Sequence, residues 1–181
     1  MNYQQIIFIM KRDGIIFSDG ITDEELAKIE NIYNIDFPLE YKNFIQEALP
    51  ISQGFYNWKD FSEQNVINIS RFINKPKKIL KENLEFIEWS HKWGTEPLNQ
   101  QQKYDFLTER INNSPTLIPI YLHRYIPIVN NNPPVLSIYE TDVIYYGQNL
   151  LDYLQVEFCN KQLDGQLKYY EYIPFWSDLM E

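Results

Sequence analysis

Apolar positions along the 181-residue chain follow two regimes. Up to about residue 111 they recur mostly at helical spacing. From residue 117 they come in dense blocks of Ile, Val and Tyr. Ile6, Ile7, Phe8 and Ile9 are contiguous, which fits a short helix or a first strand within residues 2–12, and Asp13-Gly14 breaks the segment. Thr22-Asp23-Glu24-Glu25 has the form of a capping box, in which a hydroxyl and a Glu three residues later each satisfy an orphan backbone N–H. Leu26, Ile29 and Tyr33 then continue one apolar stripe to about Asn34. Phe37-Pro38 interrupts it. Pro38 suits the first position of a second helix, with Tyr41, Phe44, Ile45 and Leu49 as its buried face and Pro50 as its end. Gly54–Trp58 reads as a turn and a short exposed strand. Asn65–Ile73 reads as one helix bounded by Pro76, and Lys77–Trp93 as another stopped by Gly94. A polar helix over Gln100–Ile111 ends at Asn112-Asn113-Ser114-Pro115.

Leu117–Ile128 and Val135–Tyr146 read as two strands, adjacent in a sheet and joined through Asn130–Pro134. Asn149–Phe158 returns to a helix, with Leu150, Leu151, Leu154 and Phe158 on one side. The aromatic tail, Lys168–Glu181, is expected to pack back as a short strand and a last helical turn. No internal repeat, linker or low-complexity tract divides the chain. The expectation is one α+β domain over residues 1–181, a central antiparallel sheet surrounded by helices.

Composition narrows the function classes. Sixteen Lys and Arg against 25 Asp and Glu leave a net charge of −9, unsuited to the clustered cations that nucleic acid requires. The only basic cluster, Lys75, Lys77, Lys78 and Lys81, reads as a solvated helix start, with Lys81 and Glu85 spaced as an i, i+4 pair. Four Trp, 14 Tyr and 11 Phe exclude a disordered chain. The excess of Tyr points to half-buried or contact positions, where a polar tip is useful. One cysteine, Cys159, excludes an intrachain disulfide framework. No apolar run is long enough to span a membrane. Ile6–Met10 is too short for a secretory core, and Lys11 and Arg12 follow it rather than precede it. A cytoplasmic protein is therefore expected.

Catalytic signatures are sparse. The glycines, at 14, 20, 54, 94, 147 and 165, lie too far apart for a phosphate-binding loop. His91 and His123 lack the one-turn spacing of a helical zinc pair, so neither metal nor cofactor is expected. Cys159 and His123 contain the elements of a nucleophile and base, but a buried thiol beside Phe158 is the simpler reading. Glu140 and Asp142, two apart on a presumed strand, share one face with Leu136, Ile138 and Ile144. They form either an acid–base or cation-binding pair or an acidic rim. His123-Arg124 interrupts an apolar strand between Tyr121 and Tyr125. A half-buried Arg needs a partner, and Glu140 or Asp142 on the neighbouring strand is the expected one.

These blocks resemble the SMI1/KNR4 family, also called the SUKH superfamily, over about residues 21–158. Ile21-Thr22-x-x-Glu25, Ile29-Glu30 and Asp36-Phe37-Pro38-x-x-Tyr41-x-x-Phe44 are similar to the family's leading helix pair, and Trp58 stands where a Trp tends to follow it. Trp93-Gly94-x-Glu96-Pro97 resembles a turn that recurs in bacterial members. The strongest match is Leu117-Ile118-Pro119-Ile120-Tyr121-Leu122-His123-Arg124-Tyr125-Ile126-Pro127. It is followed in order by Pro134-Val135-Leu136-Ser137-Ile138-Tyr139-x-Thr141-Asp142-Val143-Ile144-Tyr145-Tyr146-Gly147. The resemblance implies an α+β binding module without a shared catalytic site. It also implies that Trp58, His123, Arg124, Tyr125 and Asp142 serve the fold rather than a ligand. Many bacterial members are immunity proteins that bind and neutralise a cognate toxin, for example a nuclease. Others are regulatory interaction domains. A small enzyme using His123, Glu140 and Asp142 is the competing expectation, and convergence of those side chains in one pocket would favour it.

Overall fold

Asn2 decides the first element. In the computed structural model, which describes residues 1–129, 132–162 and 170–180, its side chain accepts from the Gln5 N–H while the Gln5 side chain accepts from its own. This capping box starts helix α1 (Tyr3–Arg12), which buries Ile6, Ile7 and Met10. Strand β1 (Phe17–Asp19) follows. The expected box at Thr22 starts α2 (Asp23–Tyr33), and Asn34 closes that helix in the left-handed conformation. Pro38 caps α3 (Leu39–Glu47) from outside rather than occupying its first position. Leu49 and Pro50 leave that helix too, because Ala48–Pro50 pairs antiparallel with β1 as strand β2.

Helix α4 (Glu63–Glu82) runs straight through Pro76, where two helices were expected. An interior proline costs about 3 kcal/mol. Ile69, Ile73, Pro76 and Leu80 make one buried stripe at helical spacing, and a fully buried aliphatic side chain contributes about 1.5–3 kcal/mol. Continuity of the stripe outweighs the break. The helix ends at Glu82, and short 3-10 turns at Leu84–Phe86 and His91–Trp93 replace the rest of the expected helix. The lysine cluster therefore lies along α4. Lys77 donates to the Asn112 and Ser114 carbonyls, and Lys78 rather than Lys81 takes the i, i+4 partner, Glu82. Helix α5 (Gln100–Asn113) forms as expected.

Each expected long strand is a hairpin. Strands β3 (Leu117–Tyr121) and β4 (Arg124–Pro127) turn at Leu122-His123. Strands β5 (Val135–Tyr139) and β6 (Asp142–Gly147) turn at Glu140-Thr141. All four make one antiparallel meander in the order β3-β4-β5-β6, so the two expected segments are indeed neighbours, through β4 and β5. In their connection, residues 130 and 131 lie outside the described ones. Leu122 and Glu140 open the two turns at φ 48° and 55°. Neither carries the Asn or Gly that normally signals such a turn. Asn tolerates this conformation better than Glu does, so Glu140→Asn is expected to stabilise the protein by roughly 0.5–1 kcal/mol. A thermal melt checks this. A rise of about 2 °C is expected, and a fall would contradict the strain argument.

Both faces of the meander are covered. One faces α1, α2, α3 and α6 (Leu150–Phe158) through Ile118, Ile120, Ile126 and Val135. The other faces α5 and the tail through Leu117, Tyr125, Leu136, Ile138 and Val143. Helix α4 reaches both cores, with Ile69 and Ile73 in the first and Leu80 in the second. Of the tail segment, residues 168, 169 and 181 lie outside the described ones. Residues 170–175 form no strand, and the last turn, Trp176–Met180, is 3-10. Among the described residues the architecture is α+β, six α-helices with two antiparallel sheets, as expected.

Candidate functional site

Gly54–Trp58 is not an exposed strand: Phe55 alone makes an antiparallel bridge, to Tyr121, and Tyr56 and Trp58 are buried. Asn65, in the first turns of α4, donates to the carbonyls of Asn57 and Asp60 at 2.9 and 2.7 Å and pins the segment to that helix. The Tyr56 hydroxyl donates to the Leu122 carbonyl at 2.7 Å, and the Leu122 N–H donates to the Gly54 carbonyl at 2.8 Å. Those two bonds tie it to the β3–β4 turn. Gly54 has φ 96° and a Tyr121 ring carbon 2.7 Å from where a Cβ would stand, so any other residue there would be strained and would have to displace that ring. The result is a groove of about 710 Å³ between α4, this segment and the tips of both hairpins. Phe72, Pro76, Tyr125 and Ile138 are among its apolar residues, and Asn68, Lys75, His123 and Glu140 are among its polar ones.

Burial, and then Arg124, push the His123 imidazole below its ordinary value, with Glu157 acting in the opposite sense and Lys75 in the same one. Burial pushes the Tyr125 hydroxyl up to about 12 and the Tyr56 hydroxyl higher still, so both remain neutral phenols. The groove therefore offers an imidazole biased toward its neutral form, phenols, amides and apolar surface, with one lysine and one carboxylate. That set suits recognition by contact and hydrogen bonding.

The remaining sequence candidates are scattered. His123 sits in the β3–β4 turn rather than inside a strand, and Arg124 begins β4. Arg124 does not pair with Glu140 or Asp142. Its guanidinium lies 3.7 Å over the Tyr146 ring, Nη1 donates to Ser137 Oγ at 2.9 Å, and Nε stands 3.7 Å from Glu157 Oε2 on α6. The last contact is an ion pair longer than a hydrogen bond, and neither atom has a hydrogen-bond partner. Glu140 and Asp142 do not share a strand face, because Glu140 is in the turn. The same turn leaves Ile144 exposed while Leu136 and Ile138 are buried. Asp142 opens onto a second depression of about 450 Å³, which His91 and Asp178 also line. Cys159 is only partly buried; burial, and next the charge of Asp13, push its thiol up, with Arg12 opposing. His123 is not among the charges that act on it. Among the described residues no three His, Cys, Asp or Glu gather as metal ligands.

Trp58 and Tyr125 are buried in the two cores. Trp58 donates from Nε1 to the Tyr41 hydroxyl at 2.9 Å and meets Tyr33 and Phe37 edge-on. Sequence reading missed Glu157, Asn65 and Asp178. Glu157 had one usable signal, a carboxylate one helical turn after a Tyr on the buried side of α6. No protein-family model, curated protein or solved structure matches the chain.

Proposed function

We propose that this chain is a non-catalytic protein-binding module of the SMI1/KNR4 type, a cytoplasmic immunity protein that binds and neutralises a cognate toxin domain without cofactor or metal. The observation that supports it is the dispersal of the polar candidates. Glu140 faces the groove and Asp142 faces a different depression, while Arg124 turns inward to Tyr146 and Glu157. A net charge of −9 would speed encounter with a basic toxin such as a nuclease domain. A housekeeping regulator of the same family would use the same surfaces on an endogenous partner.

The enzyme reading keeps one specific observation. His123 and Glu140 line the same groove, so a base and an acid are available to a bound substrate. Asp142 has no place in it.

Co-expression with the toxic domain encoded beside this chain separates the readings. Rescue of growth and a stoichiometric complex on gel filtration are the expected results. Cell death without a complex rules out immunity toward that partner, and turnover by the purified chain, lost in His123→Ala, would favour the enzyme.

A further inference from the structure

We infer that the tip of the β5–β6 hairpin, with the depression on each side of it, is the surface on which a basic protein partner docks. The inference rests on reading the chain as a protein-binding module. The first observation is shape. Glu140 opens onto the larger groove and Asp142 onto the second depression, so a single turn stands between two concavities. Tyr139 at this tip keeps 65% of its surface exposed, while Leu122 and Phe86 beside it keep 50% and 67%. Exposed rings and aliphatic groups beside concave surface are the usual anchors of an interface.

The second observation is charge. Glu88, Glu140, Asp142 and Asp178 line the two depressions, and among the described residues Lys75 is the only lysine or arginine that does. Asp178 is committed to partners inside the protein. Among the described residues, Glu88, Glu140 and Asp142 take part in no ion pair, whereas the acids Glu30, Asp36 and Glu96 elsewhere are held by lysines. Unpaired carboxylates on either side of a projecting tyrosine complement a segment that presents Arg or Lys next to an apolar side chain. The guanidinium meets Glu140 or Asp142, and the apolar group enters the groove toward Phe72 and Tyr125. A second copy of the chain brings the same charge to this face, and a nucleic acid brings phosphates, so both are disfavoured.

The test uses the full chain, isotopically labelled for NMR, and a synthetic peptide of alternating Arg and Leu. A peptide with Glu in place of Arg is the control. The Arg peptide should shift the amides of Phe72 and of Ile138–Asp142, and weaken as salt rises from about 0.05 to 0.5 M. Its affinity should fall about tenfold or more in Glu140→Lys/Asp142→Lys. The Glu peptide should bind only that double variant. Both positions are exposed, and an otherwise unchanged spectrum shows that the variant is folded. Shifts concentrated around Phe8 on α1, or equal affinity for wild type and double variant, overturn the surface. A co-expressed toxin that the double variant still neutralises also overturns it, while leaving the binding-module reading intact. Loss of the toxin complex in the double variant alone supports both.

Discussion

Replacing Arg124 by alanine is expected to cost about 3 kcal/mol of folding stability, the low end for breaking a buried pair. The Arg124 side chain is 12% exposed and that of Glu157 is 21% exposed, so the stranded carboxylate recovers some water but not full hydration. The substitution also removes the donor to Ser137 and the cation over Tyr146, and a desolvated cation–π contact is itself worth about 2 kcal/mol. Three elements lose their common point: β5 through Ser137, β6 through Tyr146 and α6 through Glu157. Glu157→Gln should cost less, because the guanidinium keeps Ser137 and the ring. A double-mutant cycle between the two positions should return a coupling of about 1–2 kcal/mol. Urea unfolding at constant m-value is the measurement. A loss under about 1 kcal/mol for Arg124→Ala, the range of exposed pairs, would contradict the buried-anchor role.

The same arginine shows how far the sequence could be read. Its burial and need for an acid followed from a cation inside an apolar run, and that need is met. Its partner was misassigned because the assignment assumed that Leu117–Ile128 and Val135–Tyr146 were unbroken strands facing each other. They look unbroken because β3, β4 and β5 are buried on both faces and the exposed Ile144 of β6 is itself apolar, so polar alternation is absent, and because the turns use Leu122-His123 and Glu140-Thr141, where no Gly, Asn or Pro marks a reversal. Once the second turn is in place, Glu140 and Asp142 part to opposite sides of it, and the pair proposed from spacing dissolves.

Where the determinant is local, the reading and the structure agree. The Thr22 box, the helix over α5 and the helix after Asn149 each need only a cap and one turn of spacing. Where a distant contact decides, they differ. Pro76 would break an isolated helix, but the two cores hold α4 together across it. Leu49 has helical spacing from Ile45, but pairing with β1 draws it into a strand. The groove depends on Tyr56 reaching the Leu122 carbonyl 66 residues away, which no pattern of spacing encodes.

Asp178 should behave as the second such long-range anchor, and Asp178→Ala is expected to cost about 2–4 kcal/mol. Its side chain is fully buried. One carboxylate oxygen accepts from Trp93 Nε1 at 2.7 Å and from Arg110 at 3.3 Å, and the other accepts from the Tyr172 hydroxyl at 2.7 Å. The carboxylate thereby joins the 3-10 turn at His91–Trp93, α5 and the described tail. Burial, and next the hydrogen bond to Asp178, push the Tyr172 hydroxyl above its ordinary value, which keeps it a donor. Removing the carboxylate leaves the buried Trp93 N–H without an acceptor, a cost of about 1–3 kcal/mol by itself. Arg110 adds less, since its side chain is 40% exposed and can return to water. Asp178→Asn keeps an acceptor and should recover about half the loss. Because the tail closes one face of the sheet over Leu136 and Val143, the loss should appear first as local opening. Limited proteolysis should cut Asp178→Ala within residues 170–180 at urea concentrations where wild type stays intact. Cleavage beginning instead in α4 or the meander, with the tail still protected, would show that the tail is held by its apolar contacts alone.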